Sequence, residues 1–276
     1  MKQFRVDKSL CIQCGECVKD CVTGSITLEQ GYPILSVDKE QTCIECQHCM
    51  VVCKSGAISI LGLDPKDSLP LDGQYPSQAQ MEALIKGRRS IRRYSPEPLS
   101  SETIDELLNI TAHAPTGVNA RGVEFIVIED QVTMAAIRQE TLETLQDLAR
   151  RDAIPESLVC FKQFLPLMEQ GQDPIFRGAP HLLIASAAEG VPCREADVFI
   201  ALSYFELLAT SAGLGTTWCG LGKWAMVDLA PQLLKSVGVP ENHDVVYLML
   251  FGKPEVQYYR TVQRDQDAKI RRLVKK

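Results

Sequence analysis

Apolar positions beyond residue 80 follow helical and strand spacings in alternation. The spacing of Ile104 and Leu107 predicts a helix with one apolar face, which a serine at 100 or 101 can cap and which ends before Pro115. Further helices are predicted at 132–149, 158–168, 194–212 and after Pro231, and strands at 123–128, 181–185, 216–220 and 245–251. This part of the chain is therefore predicted to mix helices with a sheet.

The predicted helix from Arg194 to Ala212 is apolar on most of its sides and stops at Gly213, as at a helix C-cap. Such a helix has to be covered all round. Because one small mixed sheet offers limited surface, the helix predicts association with a second copy of the chain. We therefore expect a homodimer.

The first 60 residues contain a repeat, since the four cysteines between Cys11 and Cys21 recur between Cys43 and Cys53 at the same spacing. Residues 61–80 are rich in Pro, Gly and polar residues and follow no helical or strand period. The sequence therefore predicts a duplicated module at 1–60, a linker at 61–80 and a second domain at 81–276.

Composition narrows the class of protein. The chain has 276 residues, 45% of them hydrophobic, and a net charge of -6, which suits a soluble protein with one or two cores and disfavours nucleic-acid binding. No leader-like apolar stretch opens the sequence, and no apolar run of roughly 18 residues could span a bilayer. We therefore expect a cytoplasmic protein that binds neither nucleic acid nor membrane.

Eleven cysteines in such a chain point to metal binding or catalysis, because the cytosol keeps thiols reduced. Three cysteines at successive x2 spacings wrap one cluster, and the fourth, after x3, reaches the neighbouring cluster. The ligands of cluster one are therefore predicted to be Cys11, Cys14, Cys17 and Cys53, and those of cluster two Cys43, Cys46, Cys49 and Cys21.

Two other interpretations of these cysteines are weaker. Structural zinc sites use paired cysteines separated by a longer finger, and eight thiols repeating in register are not how an apolar core is composed. The stretch closely resembles the bacterial two-cluster 4Fe-4S ferredoxins, which implies a small pseudo-twofold fold. It departs from that family at Val22 and Lys54, where proline usually follows the fourth cysteine.

A second candidate site begins with the arginine-rich segment at 88–93. The guanidinium groups of Arg88 and Arg92 and the hydroxyl of Ser90 stand at alternating positions, which suits a phosphate because arginine binds its oxygens bidentately. Alone this is a weak motif, since such a run is more often a solvated surface.

Four stretches in order strengthen that interpretation, because from about Ala83 onward the chain resembles the FMN-dependent nitroreductase family. They are 88–92, 114–119 with the strand at 125–128, 213–220, and 252–254 followed by two arginines. The resemblance implies an α+β domain with a central, mostly antiparallel sheet surrounded by helices. It also implies FMN binding by Arg88, Arg89, Ser90, Arg92, Pro115, Thr116, Gly117, Asn119, Trp218, Cys219, Gly220, Leu221, Arg260 and Arg264.

The sequence departs from this second family too. Residues 120–123 replace its usual Gln-Pro-Trp run, and Gly220 stands where many members place an acidic residue. The glycines at 213–220 follow a helix and precede a strand, which is the reverse of a dinucleotide-binding fingerprint. No catalytic side chain is predicted, and Cys219 is more simply a small core residue than a reactive thiol.

Together the two resemblances imply a ferredoxin–nitroreductase fusion, an iron-sulfur flavoprotein oxidoreductase. Electrons would pass from reduced ferredoxin or NAD(P)H through two 4Fe-4S clusters to FMN, and then to a small organic acceptor such as a nitroaromatic, a quinone or an activated alkene. Two alternatives stay open: a relay that passes electrons to a partner protein, and a specialised reductase or dehalogenase of the same superfamily. The nitroreductase resemblance also implies a homodimer whose FMN sites use both chains.

Overall fold

The computed structural model describes residues 2–264 and 268–274. Within it the chain forms two compact units, each described separately below. The first runs up to Tyr75 and includes Gly117–Ala120, and the second comprises Pro76–Thr116 and the chain from Arg121 onward. The domain limits predicted from the sequence, at 60 and 81, stay a prediction.

The first unit is built from short elements around the cysteines. In chain order they are β1 (Arg5–Val6), α1 (Glu16–Lys19), β2 (Ile26–Glu29), β3 (Tyr32–Leu35), a 3-10 turn (Val37–Thr42), α2 (His48–Val51) and β4 (Ile58–Ser59). Two small antiparallel sheets result, one pairing β1 with β4 and the other pairing β2 with β3. A core that contains Ile26, Met50, Ile58 and Ile60 packs against the cysteine loops.

The backbone of this unit repeats as its sequence does. Helices α1 and α2 occupy equivalent positions of the two repeats, and each follows a residue in the left-handed region, Gly15 at φ 74° and Gln47 at φ 62°. Gly24 and Gly56, after the fourth cysteine of each run, also match, with φ of 62° and 63°. The duplicated sequence thus folds into a duplicated backbone.

The second unit is α+β, as predicted. Its helices are α3 (Gln78–Gly87), α4 (Ser101–Thr111), α5 (Gln131–Arg150), α6 (Cys160–Glu169), α7 (Arg194–Ser211), α8 (Gly220–Lys223) and α9 (Gln232–Ser236), and its strands are β5 (Val123–Ile128), β6 (His181–Ala188), β7 (Gly215–Trp218) and β8 (His243–Gly252). The strands form one sheet in the order β5-β6-β8-β7, and every neighbouring pair is antiparallel.

Strand β6 shows why helices cover both faces of this sheet. All but the last of its residues are buried, and successive side chains point to opposite faces. Leu182 and Ile184 join the core that contains residues of α5 and α6, whereas Leu183 and Ala185 join the core that contains residues of α4 and α7. The expected central sheet between helices is confirmed.

Helix α7 is covered by its own unit along much of its length. Val198, Leu202 and Phe205 are fully buried against the sheet, while Phe199 and Tyr204 on other sides are 42% and 48% exposed. The sheet therefore covers part of the apolar surface of α7 from which the homodimer was predicted. In the part of the chain that the structure describes, neither α7 nor any other helix is long and apolar enough to cross a membrane.

Two elements differ from the sequence prediction. Helix α3 begins at Gln78, inside the predicted linker, because Ser77 and Gln80 form a reciprocal capping box. The strand predicted at 216–220 ends at Trp218, and Gly220 instead begins α8, which continues into a π-helical turn at Trp224–Leu229.

Strand β7 lies at the edge of the sheet, and the arginine-rich segment packs beside it. The amide of Ile91 donates to the carbonyl of Thr216 at 2.9 Å, and Ser90 forms a parallel bridge with Thr216. A Cβ added at Gly215 would lie 2.5 Å from the Ile91 side chain. This contact therefore requires a glycine at 215.

We predict that Gly215→Ala destabilises the second unit by about 1–3 kcal/mol, because the added methyl overpacks against Ile91. Both tryptophans of the chain, Trp218 and Trp224, lie in this unit, so the denaturation midpoint of their fluorescence reports it. Gly87→Ala is the matched control, since a Cβ there meets nothing within 4 Å. Equal midpoints for Gly215→Ala and wild type would contradict the packing argument.

Candidate functional site

The cysteines of the first unit surround two separate cavities. The first cavity is open to solvent and is lined by four cysteines together with Pro33 and Ile58; the cysteines are Cys11, Cys14, Cys17 and Cys53. The second is lined by Cys21, Cys43, Cys46 and Cys49. The structure thus groups the same residues that the spacing assigned to clusters one and two, with the fourth cysteine of each run in the other run's cavity.

The four cysteines around each cavity are the right ligands for a cubane cluster. A cubane takes one thiolate at each of its four irons, so its ligands are four cysteines spread around it. Within the described residues the eleven cysteines form no disulfide, and burial raises the pKa of Cys49 to about 12. A cluster bound there would stabilise the thiolate form of this sulfur.

Hydroxyl groups accompany the fourth cysteine of each run. The Thr23 hydroxyl lies 3.6 Å from Cys21 Sγ, and the Ser55 hydroxyl lies 3.7 Å from Cys53 Sγ. The amide of Ala57 also donates to Cys53 Sγ at 3.3 Å. Such donors raise the reduction potential of a cluster by stabilising negative charge on its sulfurs. The sequence repeat contained this signal, since positions 23 and 55 are equivalent.

In the second unit, the end of α3 carries the predicted phosphate-binding residues. Arg88 caps the C-terminus of α3, and the chain then runs beside β7. Arg89 and Ser90 are half-buried, whereas Arg92 is exposed. The hydroxyl of Thr217 donates to the carbonyl of Ile91 and accepts from the Tyr94 hydroxyl, which fixes the segment at a second point.

Arg88 meets a buried carboxylate that sequence analysis missed. Its Nη1 donates to Glu206 Oε1 on α7 at 3.0 Å, and the Thr216 hydroxyl lies 3.4 Å from the same oxygen. Glu206 is 7% exposed. Its position on a helix that is otherwise largely apolar on its inner side was the only signal in the sequence.

The glycine-rich loop at 213–221 follows α7 and forms β7 and the start of α8. Trp218 is half-buried at the end of β7, and Gly220 and Leu221 lie in the first turn of α8. Cys219 is buried, its Sγ lies 3.5 Å from the Ile175 carbonyl, and burial raises its pKa to about 12. Its surroundings suit a small core residue, not a reactive thiol.

The predicted flavin loop at 115–119 is divided between the units. Pro115 and Thr116 belong to the second unit, and the Thr116 hydroxyl accepts from the Arg121 amide at 3.0 Å. Gly117–Ala120 belongs to the first unit, in which the Asn119 side-chain amide donates to the Ile44 carbonyl at 2.9 Å. The predicted loop therefore includes a residue that contacts the chain next to a candidate cluster ligand.

The C-terminal stretch is joined to the arginine-rich segment through backbone contacts. Tyr94 bridges Pro254, and the Ser95 amide donates to the Lys253 carbonyl at 2.9 Å. Beyond this point Arg260 and Arg264 are exposed. The second unit thus brings three of the four predicted flavin stretches together as 88–94, 215–218 and 252–254, while contact of the two exposed arginines with a phosphate stays a prediction.

Three aromatic side chains form a cluster next to β7. The ring centroid of Phe199 lies 6.0 Å from that of Trp218 and 5.2 Å from that of Tyr247, and the last two are 5.4 Å apart. Burial raises the pKa of Tyr247. Only Trp218 was predicted, because the other two rings come from a helix and a strand far away in sequence.

Comparisons with known proteins follow the same division of the chain. Residues 85–253 match the model of the nitroreductase family, and residues 10–58 match that of a 4Fe-4S dicluster domain. A curated relative from Thermotoga neapolitana, named iodotyrosine deiodinase, is 24% identical over 139 residues, which are 48% of this chain and 69% of that protein. Another, from Thermus thermophilus and named NADH dehydrogenase, is 25% identical over 186 residues, 62% of this chain and 85% of that protein.

The fold comparison agrees with the family match. A nitroreductase from Desulfitobacterium hafniense, solved with bound FMN, superposes with a TM-score of 0.55 at 22% identity and covers 71% of this chain and 100% of its own. At that identity the likeness establishes the fold of the second unit.

Proposed function

The chain belongs to the nitroreductase family, and from this premise we propose that it is an FMN-dependent oxidoreductase that receives electrons through two 4Fe-4S clusters. The observation that carries the proposal is the pair of cavities, each lined by four cysteines, in the same chain as a nitroreductase fold. The clusters would pass electrons one at a time. FMN would collect two of them and transfer the pair to an organic acceptor.

The residues of the second unit fit FMN. Arg88, Arg89 and Arg92 would donate to the phosphate and neutralise it, because guanidinium groups bind phosphate oxygens with charge-assisted hydrogen bonds. Trp218 and Gly220 would line the ring, by likeness to the family. The exposed Arg260 and Arg264 would close over the phosphate from the C-terminal segment.

The cysteines of the first unit would hold the two clusters in the sets that line each cavity.

The acceptor is proposed to be a small planar organic molecule. The half-exposed Phe199 and the rings of Trp218 and Tyr247 beside β7 offer an apolar, aromatic surface on which such a molecule could stack. The name of the Thermotoga relative makes reductive dehalogenation the second candidate reaction. A relay to a partner protein, with no small acceptor, is the third.

The donor is proposed to be NAD(P)H or reduced ferredoxin. The name of the Thermus relative supports NADH, whereas the cysteine unit supports a one-electron donor. We also propose that the protein is cytoplasmic and that it forms a homodimer with FMN sites that use both chains. The exposed Phe199 and Tyr204 on α7 support the dimer, since they leave apolar surface for a second copy.

Cofactor analysis and turnover of anaerobically purified protein test this function. We expect about eight iron, eight acid-labile sulfide and one FMN per chain, since two four-cysteine sets bind two cubanes. Cys14→Ser and Cys46→Ser should each remove about half of the iron. Cys193→Ser is the matched control, because this exposed cysteine lines neither cavity, and it should keep all of it. Stoichiometric zinc without sulfide would contradict the proposal.

The turnover arm supplies NADH, NADPH or reduced ferredoxin and a panel of nitroaromatic, quinone, alkene and halogenated phenol acceptors. Reduction of a small acceptor would support the proposed oxidoreductase activity. Electron exchange with a partner protein alone would make the chain a relay, and halide release would make it a dehalogenase.

A homodimer with shared flavin sites predicts that dilution releases FMN and dissociates the subunits together, because binding and assembly are thermodynamically linked. Mass photometry at nanomolar concentration measures the subunit state, and flavin fluorescence measures release. Excess FMN should hold the dimer. A flavin-replete, active monomer would show that α7 is covered within its own chain and that the shared-site proposal is wrong.

A further inference from the structure

Glu206 is a buried carboxylate in the second unit for which the proposed function has no role. It is 7% exposed on α7 and directly follows Phe205, which is fully buried. Removing a carboxylate from water is costly unless a charged partner and hydrogen bonds compensate it. Its partners therefore decide what it does.

The partners of Glu206 come from two segments that the flavin site uses. One is Arg88, whose Nη1 donates at 3.0 Å, and the other is Thr216 of β7, whose hydroxyl lies at 3.4 Å. The side chains of Arg88 and Glu206 are 27% and 10% exposed, so the ion pair is largely shielded from solvent. Such a pair demands accurate geometry, and removing one partner is costly because it leaves the other charge buried and uncompensated.

The backbone around this pair is fixed on both sides. The Arg88 amide donates to the Leu84 carbonyl at 2.9 Å, which ties it to the end of α3, and the Ile91 amide donates to Thr216 at the same distance. A guanidinium has five N–H donors, and the bond to Glu206 is made by Nη1. Glu206 can therefore orient the planar group while other donors of Arg88 serve a ligand.

We propose that Glu206 is a positioning residue for the flavin site: it orients the Arg88 guanidinium toward FMN and offsets its charge there. The inference rests on the proposed function, because it presupposes that FMN binds. Arg88 then donates to the flavin as half of a neutral ion pair. Orientation governs FMN affinity, and the offset charge governs the reduction potential of the flavin.

Two variants of Glu206 separate these effects. Glu206→Ala removes the acceptor of Arg88 and should raise the FMN dissociation constant about tenfold or more. Glu206→Gln keeps an oxygen that accepts from Arg88 but loses the charge, so the dissociation constant should stay within about threefold of wild type. The flavin midpoint potential of Glu206→Gln should become more positive, because uncompensated Arg88 stabilises reduced, anionic flavin.

The same substitutions in an Arg88→Ala background test whether Glu206 acts through Arg88. Both effects should disappear there, since a double-mutant cycle isolates the interaction of the two side chains. Glu195→Gln is the matched control, because it removes a carboxylate from an exposed position of α7 and should change neither affinity nor potential.

The outcomes of these experiments distinguish a failure of the role proposed for Glu206 from a failure of the proposed function. A wild-type protein that binds no FMN overturns the proposed function and the inference with it. A wild type that binds FMN, with Glu206→Gln unchanged in potential and Glu206→Ala unchanged in affinity, overturns the inference alone. Effects that persist in the Arg88→Ala background would show that Glu206 supports the fold and does not position Arg88. If Glu206→Ala does not fold, the potential of Glu206→Gln in the two backgrounds decides.

Discussion

The arrangement of the proposed flavin site depends first on a backbone hydrogen bond, from the Ile91 amide to the Thr216 carbonyl. Strand β7 is an edge strand, and its free backbone groups would otherwise be open to another chain. By pairing with it, the segment after α3 places its arginines beside the glycine-rich loop. Gly215 allows this approach because a side chain there would meet Ile91. Packing of the second unit and the proposed binding of FMN therefore involve the same contact.

Features that are local in sequence could be predicted well. The serine cap and the apolar face predict the helix after Ser100. Apolar runs of the length of a buried strand predict β5 and β6. Each cavity is lined by one of the two cysteine sets that the spacing predicts, while the binding of clusters by these sets stays a prediction. Here the repeat made a long-range arrangement readable from short-range spacing.

Features that depend on tertiary contact could not be predicted. Arg88 and Glu206 are 118 residues apart, and no local pattern pairs them. Helix α8 contains Gly220 and Gly222, which are poor helix formers, and it forms where Gly222 packs tightly under Cys219. The capping box of α3 was overlooked because its apolar face is weak and it lies next to a polar, proline-rich stretch. In each case, packing outweighed intrinsic propensity.

The central proposal is that the cysteine unit supplies electrons to the flavin. Anaerobic stopped-flow mixing with a reduced one-electron donor tests it most directly, with flavin absorbance recorded for wild type and for Cys46→Ser at equal FMN occupancy. We predict that flavin reduction is at least about tenfold slower in Cys46→Ser than in wild type, which is equivalent to about 1.4 kcal/mol in activation free energy. Equal rates in the two proteins would show that electrons reach the flavin without the second cluster and would contradict this proposal.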